Sequence, residues 1–114
     1  MPIVVAGTVE ISKENRDRAL SEAAQLMTDT RTEQGCNHYV WSADPTSETR
    51  IYVYEHWDTM EDLALHLNSA FYAKMLQHMG SFAVHNVEVN KHQVTRQQAV
   101  YDSQGKARAD FFDE

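Results

Sequence analysis

The sequence predicts an α+β fold in which helices cover one face of an antiparallel four-stranded sheet. Two observations predict it. In four stretches apolar residues alternate with a period of two, as in strands. In three other stretches, which lie between these, apolar residues recur at helical spacing. The predicted order is strand, long helix, two strands, two short helices, strand. At 114 residues the chain is expected to be one domain, residues 1–94, followed by a tail, residues 95–114.

Turn and cap residues set the expected boundaries of these elements. We expect, in order, a strand at 3–11, a helix at 13–34 after the cap Ser12, strands at 36–43 and 51–57, a helix capped by Asp58 or Thr59, a helix capped by Ser69, and a strand at 86–92. Glycines are expected to end two of the helices, Gly35 the first and Gly80 the last.

The strand at 51–57 carries large side chains on both faces. Ile51, Val53, Glu55 and Trp57 alternate with Tyr52, Tyr54 and His56, so both faces are expected to be buried. The helices can cover only one face of the sheet. We therefore expect a homodimer that buries sheet against sheet. The tail is expected either to be flexible or to lie on the partner subunit.

Composition excludes several classes of function. The net charge of −7, with no long run of Lys or Arg, argues against nucleic acid. A single cysteine, Cys36, excludes an internal disulfide, and the six histidines form no metal-binding pair, so no metal is expected. No apolar run approaches the length of a membrane span or follows Met1 as a signal peptide would, so the cytoplasm is the expected location and no membrane is expected as a partner.

A small-molecule pocket is expected within residues 49–72. Polar and aromatic side chains stand there at the end of a strand and on the helix that follows it. This is where ligand pockets are often built in α+β domains.

Two segments carry a family resemblance. They are EQGCNHYVWSADP, residues 33–45, and RIYVYEHWDTMEDLALHLNSAFY, residues 50–72. With them the chain resembles the antibiotic biosynthesis monooxygenase family over residues 3–92. The resemblance implies a ferredoxin-like dimeric α/β barrel. Family activities include cofactor-independent oxygenation of quinols or polyphenols, haem degradation and isomerisation, so the fold alone does not choose the reaction.

Haem is disfavoured by the resemblance. The positions where haem-degrading relatives carry Asn, Trp and His are Gly7, His66 and Leu76 here. No cofactor is therefore expected.

The expected function is oxygenation of a quinol, phenol or polycyclic aromatic by O₂. Deprotonation turns such a substrate into an electron donor, and His66 is the candidate base. Tyr72 is the candidate donor to the oxyanion. The candidate substrate-binding residues are Asn37, Tyr39, Trp41, Glu55, Trp57 and Met75.

Other interpretations remain open. Trp41 and Trp57 could be plain core residues, and His66 could be a structural histidine satisfied by Glu55 or by a backbone carbonyl. The alternative functions are an isomerase of a small phosphorylated carbonyl compound and a non-catalytic ligand-binding dimer. An isomerase needs a cation for the phosphate, for which the central stretch offers Arg50 and Lys74.

Overall fold

A computed structural model of the chain describes residues 1–113. Its elements are β1 (Ile3–Glu10), α1 (Arg16–Thr30), β2 (Cys36–Ala43), β3 (Arg50–Trp57), α2 (Met60–Leu67), α3 (Ala70–Ser81) and β4 (His85–Gln93). The four strands form one antiparallel sheet in the order β2-β3-β1-β4. This is the ferredoxin-like topology, and the predicted α+β fold is confirmed.

Helix α1 is shorter than predicted at both ends. Its first residue is Arg16, because Ser12 accepts backbone hydrogen bonds in a turn that precedes the helix. Its last residue is Thr30, and the next residues form a turn that leads into β2. Gly35 does adopt the predicted left-handed backbone, with φ at +75°, but at the end of this turn rather than at the end of the helix.

The two later helices begin at the predicted caps. The Thr59 hydroxyl accepts a hydrogen bond from the Asp62 N–H, and the Ser69 hydroxyl accepts one from the Tyr72 N–H. The predicted end of α3 is wrong, because the helix continues through Gly80 to Ser81. The left-handed backbone that follows is supplied by Ala83, with φ at +56°.

The core lies between one face of the sheet and the three helices. Val9, Ile51, Val53 and Trp57 from the strands pack there against helix residues that include Ala19, Ala23, Met27 and Met79. The opposite sheet face is open in the single chain, where Tyr52 is 50% and Tyr54 39% exposed. The prediction that both faces of β3 are buried therefore does not hold within one subunit.

A bulge near the start of β2 changes the predicted alternation. Cys36 pairs with Trp57 and His38 pairs with His56, so Asn37 is an extra residue in β2. Strict alternation along residues 36–43 predicts Cys36 on the face opposite to Tyr39 and Trp41, but the bulge lets Cys36 pack against the core. Simple alternation along the sequence cannot reveal such an insertion.

The described part of the tail folds on itself. Val100 and Arg108 share a backbone hydrogen bond, and Phe112 is 8% exposed and hydrogen-bonds through its backbone to Gln98. Phe112 is not part of the main core cluster. The chain has a radius of gyration of 16.1 Å, against about 13 Å for a compact domain of this length, which fits a tail that lies beside the core.

Candidate functional site

A cavity of about 310 Å³ lies between the sheet and helices α2 and α3. Most of its wall is apolar, and its aliphatic strand and loop residues are Val5, Val9, Val53, Val84, Val87 and Val89. A few polar side chains interrupt this wall, as is typical of small-molecule sites. They come from β2, β3, α2 and α3 and are five of the eight predicted site residues; a sixth, the apolar Met75, also lines the cavity.

His66 is the centre of this polar group. It projects from α2, is 2% exposed, and stacks on the Trp57 ring with centroids 4.5 Å apart. Its Nδ1 lies 2.7 Å from a carboxylate oxygen of Glu33. Because a carboxylate accepts, Nδ1 carries the hydrogen of this bond. Nε2 lies 3.9 Å from a Glu55 carboxylate oxygen, beyond hydrogen-bond distance, and His66 is one of the residues that line the cavity.

Glu33 was not among the predicted site residues. It stands in the turn before β2, and its side chain is 14% exposed. The turn is held against the start of α2, because Gln34 donates to the Asp62 carboxylate at 2.8 Å and the Asp58 N–H donates to the Gly35 carbonyl at 2.9 Å. The sequence gives one signal that could have indicated Glu33: it is an acidic residue in a turn next to a strand that lines the cavity.

Glu55 contributes a second carboxyl group to the cavity. It lies on β3 with 8% exposure, and the Trp57 indole donates a hydrogen bond of 3.0 Å to it. Burial raises the pKa of this carboxyl above its ordinary value, while the Trp57 hydrogen bond and the nearby His66 oppose the rise. Glu55 lies beside His66, 3.9 Å from Nε2, and makes no hydrogen bond to it.

Tyr39 and Trp41 extend the cavity along β2. Tyr39 is 3% exposed, and its ring meets the edge of the His66 ring at 5.6 Å between centroids. Burial, reinforced by Glu55, raises the pKa of the Tyr39 hydroxyl well above its ordinary value. The Trp41 indole N–H is buried and, within the described residues, has no partner with hydrogen-bond geometry.

The remaining predicted site residues lie in the cavity wall, behind His66, or outside the cavity. Tyr72 and Met75 line the cavity from α3, and the Tyr72 ring is 5.4 Å from that of His66. Trp57 is fully buried behind His66 and does not line the cavity. Asn37 does not line it either, because the bulge turns its amide to Asp58 Oδ1 at 2.8 Å and to His56 Nδ1 at 2.9 Å. Strict alternation along residues 36–43 predicts Asn37 and Trp41 on one face, and this prediction is wrong because of the bulge.

Two other features carry no comparable chemistry. A concavity of about 420 Å³ is lined only by tail residues, and the charged pair in it, Arg108 and Asp110, is already joined by a salt bridge of 2.6 Å. Burial raises the pKa of the Cys36 thiol to about 11, so the thiol is a poor nucleophile at neutral pH. Among residues 1–113, no cluster of three or more His, Cys, Asp or Glu could hold a metal, and no helix could cross a membrane.

Fold and site together define a class of protein: small ferredoxin-like α+β domains with a ligand cavity between sheet and helices. The family model of antibiotic biosynthesis monooxygenases matches residues 2–78, which is more than half of the chain. The chain therefore belongs to the antibiotic biosynthesis monooxygenase family, and the resemblance noted from the sequence is confirmed.

Individual relatives are distant. A candidate antibiotic biosynthesis monooxygenase from Deinococcus radiodurans is 21% identical, with a TM-score of 0.70 over 90% of this chain and 100% of that one. A conserved protein from Methanosarcina mazei is 17% identical, with a TM-score of 0.73 over 82% of this chain and 92% of that one. An uncharacterised Synechocystis protein is 19% identical over 87% of this chain and 67% of its own length. These likenesses show the fold and leave the substrate open.

Proposed function

We propose that the protein is a cofactor-independent monooxygenase that oxidises a quinol, phenol or polycyclic aromatic with O₂. One observation carries the proposal. His66 is buried in an aromatic, largely apolar cavity, with Nδ1 held by Glu33 and Nε2 free to take a proton from a ligand. A histidine whose other ring nitrogen is held by a carboxylate has the arrangement of an oriented general base.

The reaction follows from this arrangement. Nε2 removes the proton of an acidic hydroxyl, and the Glu33 carboxylate stabilises the imidazolium that results. The substrate anion passes one electron to O₂, the two radicals combine into a peroxide at carbon, and loss of water leaves a new carbonyl. A methylene group plus O₂ thus becomes a carbonyl plus water, so the substrate supplies all four electrons. The half-buried Tyr72, beside His66, is the proposed donor to the developing oxyanion.

The homodimer belongs to the same proposal. Tyr52 and Tyr54 leave a broad aromatic surface on the open sheet face, and the tail exposes Val100 at 58%, Tyr101 at 65% and Phe111 at 53%. A second copy would cover both surfaces. The cytoplasmic location expected from the sequence stays a prediction.

The isomerase alternative rests on a different residue. A groove of about 210 Å³ adjoins the cavity, shares Val5 and Glu55 with it, and is bordered by Lys91. Lys91 is exposed and could hold a phosphate, a cation that the sequence alone did not indicate. An isomerase would exchange carbon-bound hydrogen of dihydroxyacetone phosphate with D₂O, and Lys91→Met would abolish this exchange. The non-catalytic alternative is less favoured, because it leaves the ligand-facing Nε2 without a role.

Oxygen consumption tests the monooxygenase directly. With a panel of hydroquinones and anthrones, we expect the wild type to exceed the autoxidation rate, and His66→Ala to lose about a hundredfold or more of that excess. His85→Ala removes an exposed imidazole away from the cavity and is the matched control. Wild-type rates equal to autoxidation on every compound would refute the proposal.

Glu33→Gln tests the support of the base. Glutamine keeps an oxygen that can accept from Nδ1 but loses the negative charge that stabilises the imidazolium. We expect kcat to fall about tenfold or more with KM nearly unchanged, since only the transition state loses stabilisation. Glu61→Gln, on the exposed part of α2, is the control. An unchanged kcat in Glu33→Gln would remove Glu33 from the mechanism.

A further inference from the structure

We propose that Glu55 is a second catalytic base, which removes the carbon-bound hydrogen when the peroxide intermediate collapses to the carbonyl product. The inference rests on the proposed function, in which His66 takes the proton of the substrate hydroxyl. It adds a residue to the last step of that reaction. It also assigns the class of substrate, one whose reacting carbon still carries a hydrogen after O₂ has added to it.

The collapse of the peroxide requires a base and an acid at the same moment. The intermediate, R₂CH–O–O⁻, loses the hydrogen on its carbon, the C–H electron pair becomes the second bond of the carbonyl, and the O–O bond breaks. The outer oxygen takes one proton from the His66 imidazolium and receives the proton removed from carbon, so it leaves as water and no further oxidant is consumed. Because the protonated His66 is the acid of this step, a different group must be the base.

The position of Glu55 suits it to be that base. Its side chain lines the same cavity as His66, and one of its carboxylate oxygens lies 3.9 Å from Nε2. This distance is too long for a hydrogen bond between them. It is short enough for the two groups to act on neighbouring atoms of one ligand. The Trp57 indole, which donates to the same oxygen at 3.0 Å, holds the carboxylate in place.

The surroundings of Glu55 make its carboxylate a stronger base than an exposed one. Glu55 is 8% exposed, and within residues 1–113 its only hydrogen bond comes from Trp57 and no Lys or Arg forms a salt bridge with it. Burial raises the pKa of this carboxyl, and the nearby charge of Glu33 adds to the rise. Glu33 itself is bound to Nδ1 of His66 at 2.7 Å. Of these two carboxylates, Glu55 is therefore the one that remains to act on a ligand.

A ready-made hydroperoxide tests this step without O₂. Under anaerobic conditions, we expect the wild type to convert tetralin hydroperoxide to tetralone and water faster than buffer does. Glu55→Gln keeps an oxygen that can accept from the Trp57 indole but cannot take the proton, and it should lose about a hundredfold or more of this excess rate. Glu61→Gln, on the exposed part of α2, is the matched control. Cumene hydroperoxide has no hydrogen on its peroxide-bearing carbon and should remain unchanged.

Deuterium on the peroxide-bearing carbon supplies a readout that does not depend on a variant folding. In single turnovers of the wild type, the deuterated hydroperoxide should react several times more slowly than the ordinary one. Equal rates for the two isotopes, or a Glu55→Gln variant as fast as wild type, would overturn the role of Glu55. A protein that converts the hydroperoxide yet consumes no oxygen would refute the monooxygenase and leave this role standing. Oxygen consumption by a protein that does not convert the hydroperoxide would do the reverse.

Discussion

At the scale of single residues, the geometry of the site depends on which carboxylate is hydrogen-bonded to the buried His66. The sequence predicted His66 as the base, but its orientation comes from Glu33, a residue 33 positions earlier in the chain. Nδ1 is bound to Glu33, and Nε2 is the nitrogen to which the proposed mechanism assigns the proton. A histidine satisfied by Glu55, the plain structural alternative, would present the opposite edge. The 3.9 Å gap between Glu55 and Nε2 is too long for that hydrogen bond.

The raised pKa of Glu55 makes a prediction about stability and pH. Because burial raises the pKa in the folded state, the stability due to Glu55 is complete below its unfolded pKa and is lost as the pH rises through the folded pKa. Glutamine does not ionise, so the Glu55→Gln variant does not lose this stability as the pH rises. Its free energy of unfolding should therefore improve relative to wild type between pH 4 and pH 8, by about 1.4 kcal/mol for each unit by which the pKa is raised.

Urea unfolding at intervals across this range measures the difference. Glu61→Gln removes one carboxylate from an exposed position and controls for the change in net charge. A stability difference between Glu55→Gln and wild type that stays constant with pH would contradict a raised pKa for Glu55.

At the level of elements, the turn between α1 and β2 positions Glu33. Gly35 ends this turn with φ at +75°, and a Cβ added there would lie 2.1 Å from the Asp62 carboxylate. Asp62 in turn binds Gln34. The sequence predicted the left-handed glycine correctly. It could not reveal that the glycine also makes room for a side chain of α2.

Two glycine substitutions separate the need for a left-handed backbone from the need for space beside Asp62. Gly35→Ala should destabilise the fold by roughly 3 kcal/mol, from left-handed strain of about 1–2 kcal/mol plus the clash with Asp62. Gly105→Ala is the matched control, since Gly105 has φ at +77° and nothing within 4 Å of an added Cβ. It should cost only the strain. Thermal unfolding compares the two, and equal costs would exclude the clash.

At the level of the whole molecule, the open sheet face makes a prediction about assembly. We expect a dimer in sedimentation equilibrium at micromolar concentration, weakened at least tenfold by Tyr54→Glu, because a buried charge opposes association. Removal of residues 95–114 should also weaken it if the tail packs on the partner. Leu65→Glu, on an exposed position of α2, is the control. A wild-type monomer would refute the dimer.

The sequence by itself determined the type and order of every element, the caps of α2 and α3, and the cavity residues that strand alternation and helical spacing place on the covered face. These are local properties, set by periodicity and by single capping side chains. Only the tertiary structure decided the bulge that removes Asn37 from the cavity and the Glu33–His66 pair. Each depends on strand register or on contact between distant segments, and alternation within one segment carries no information about either.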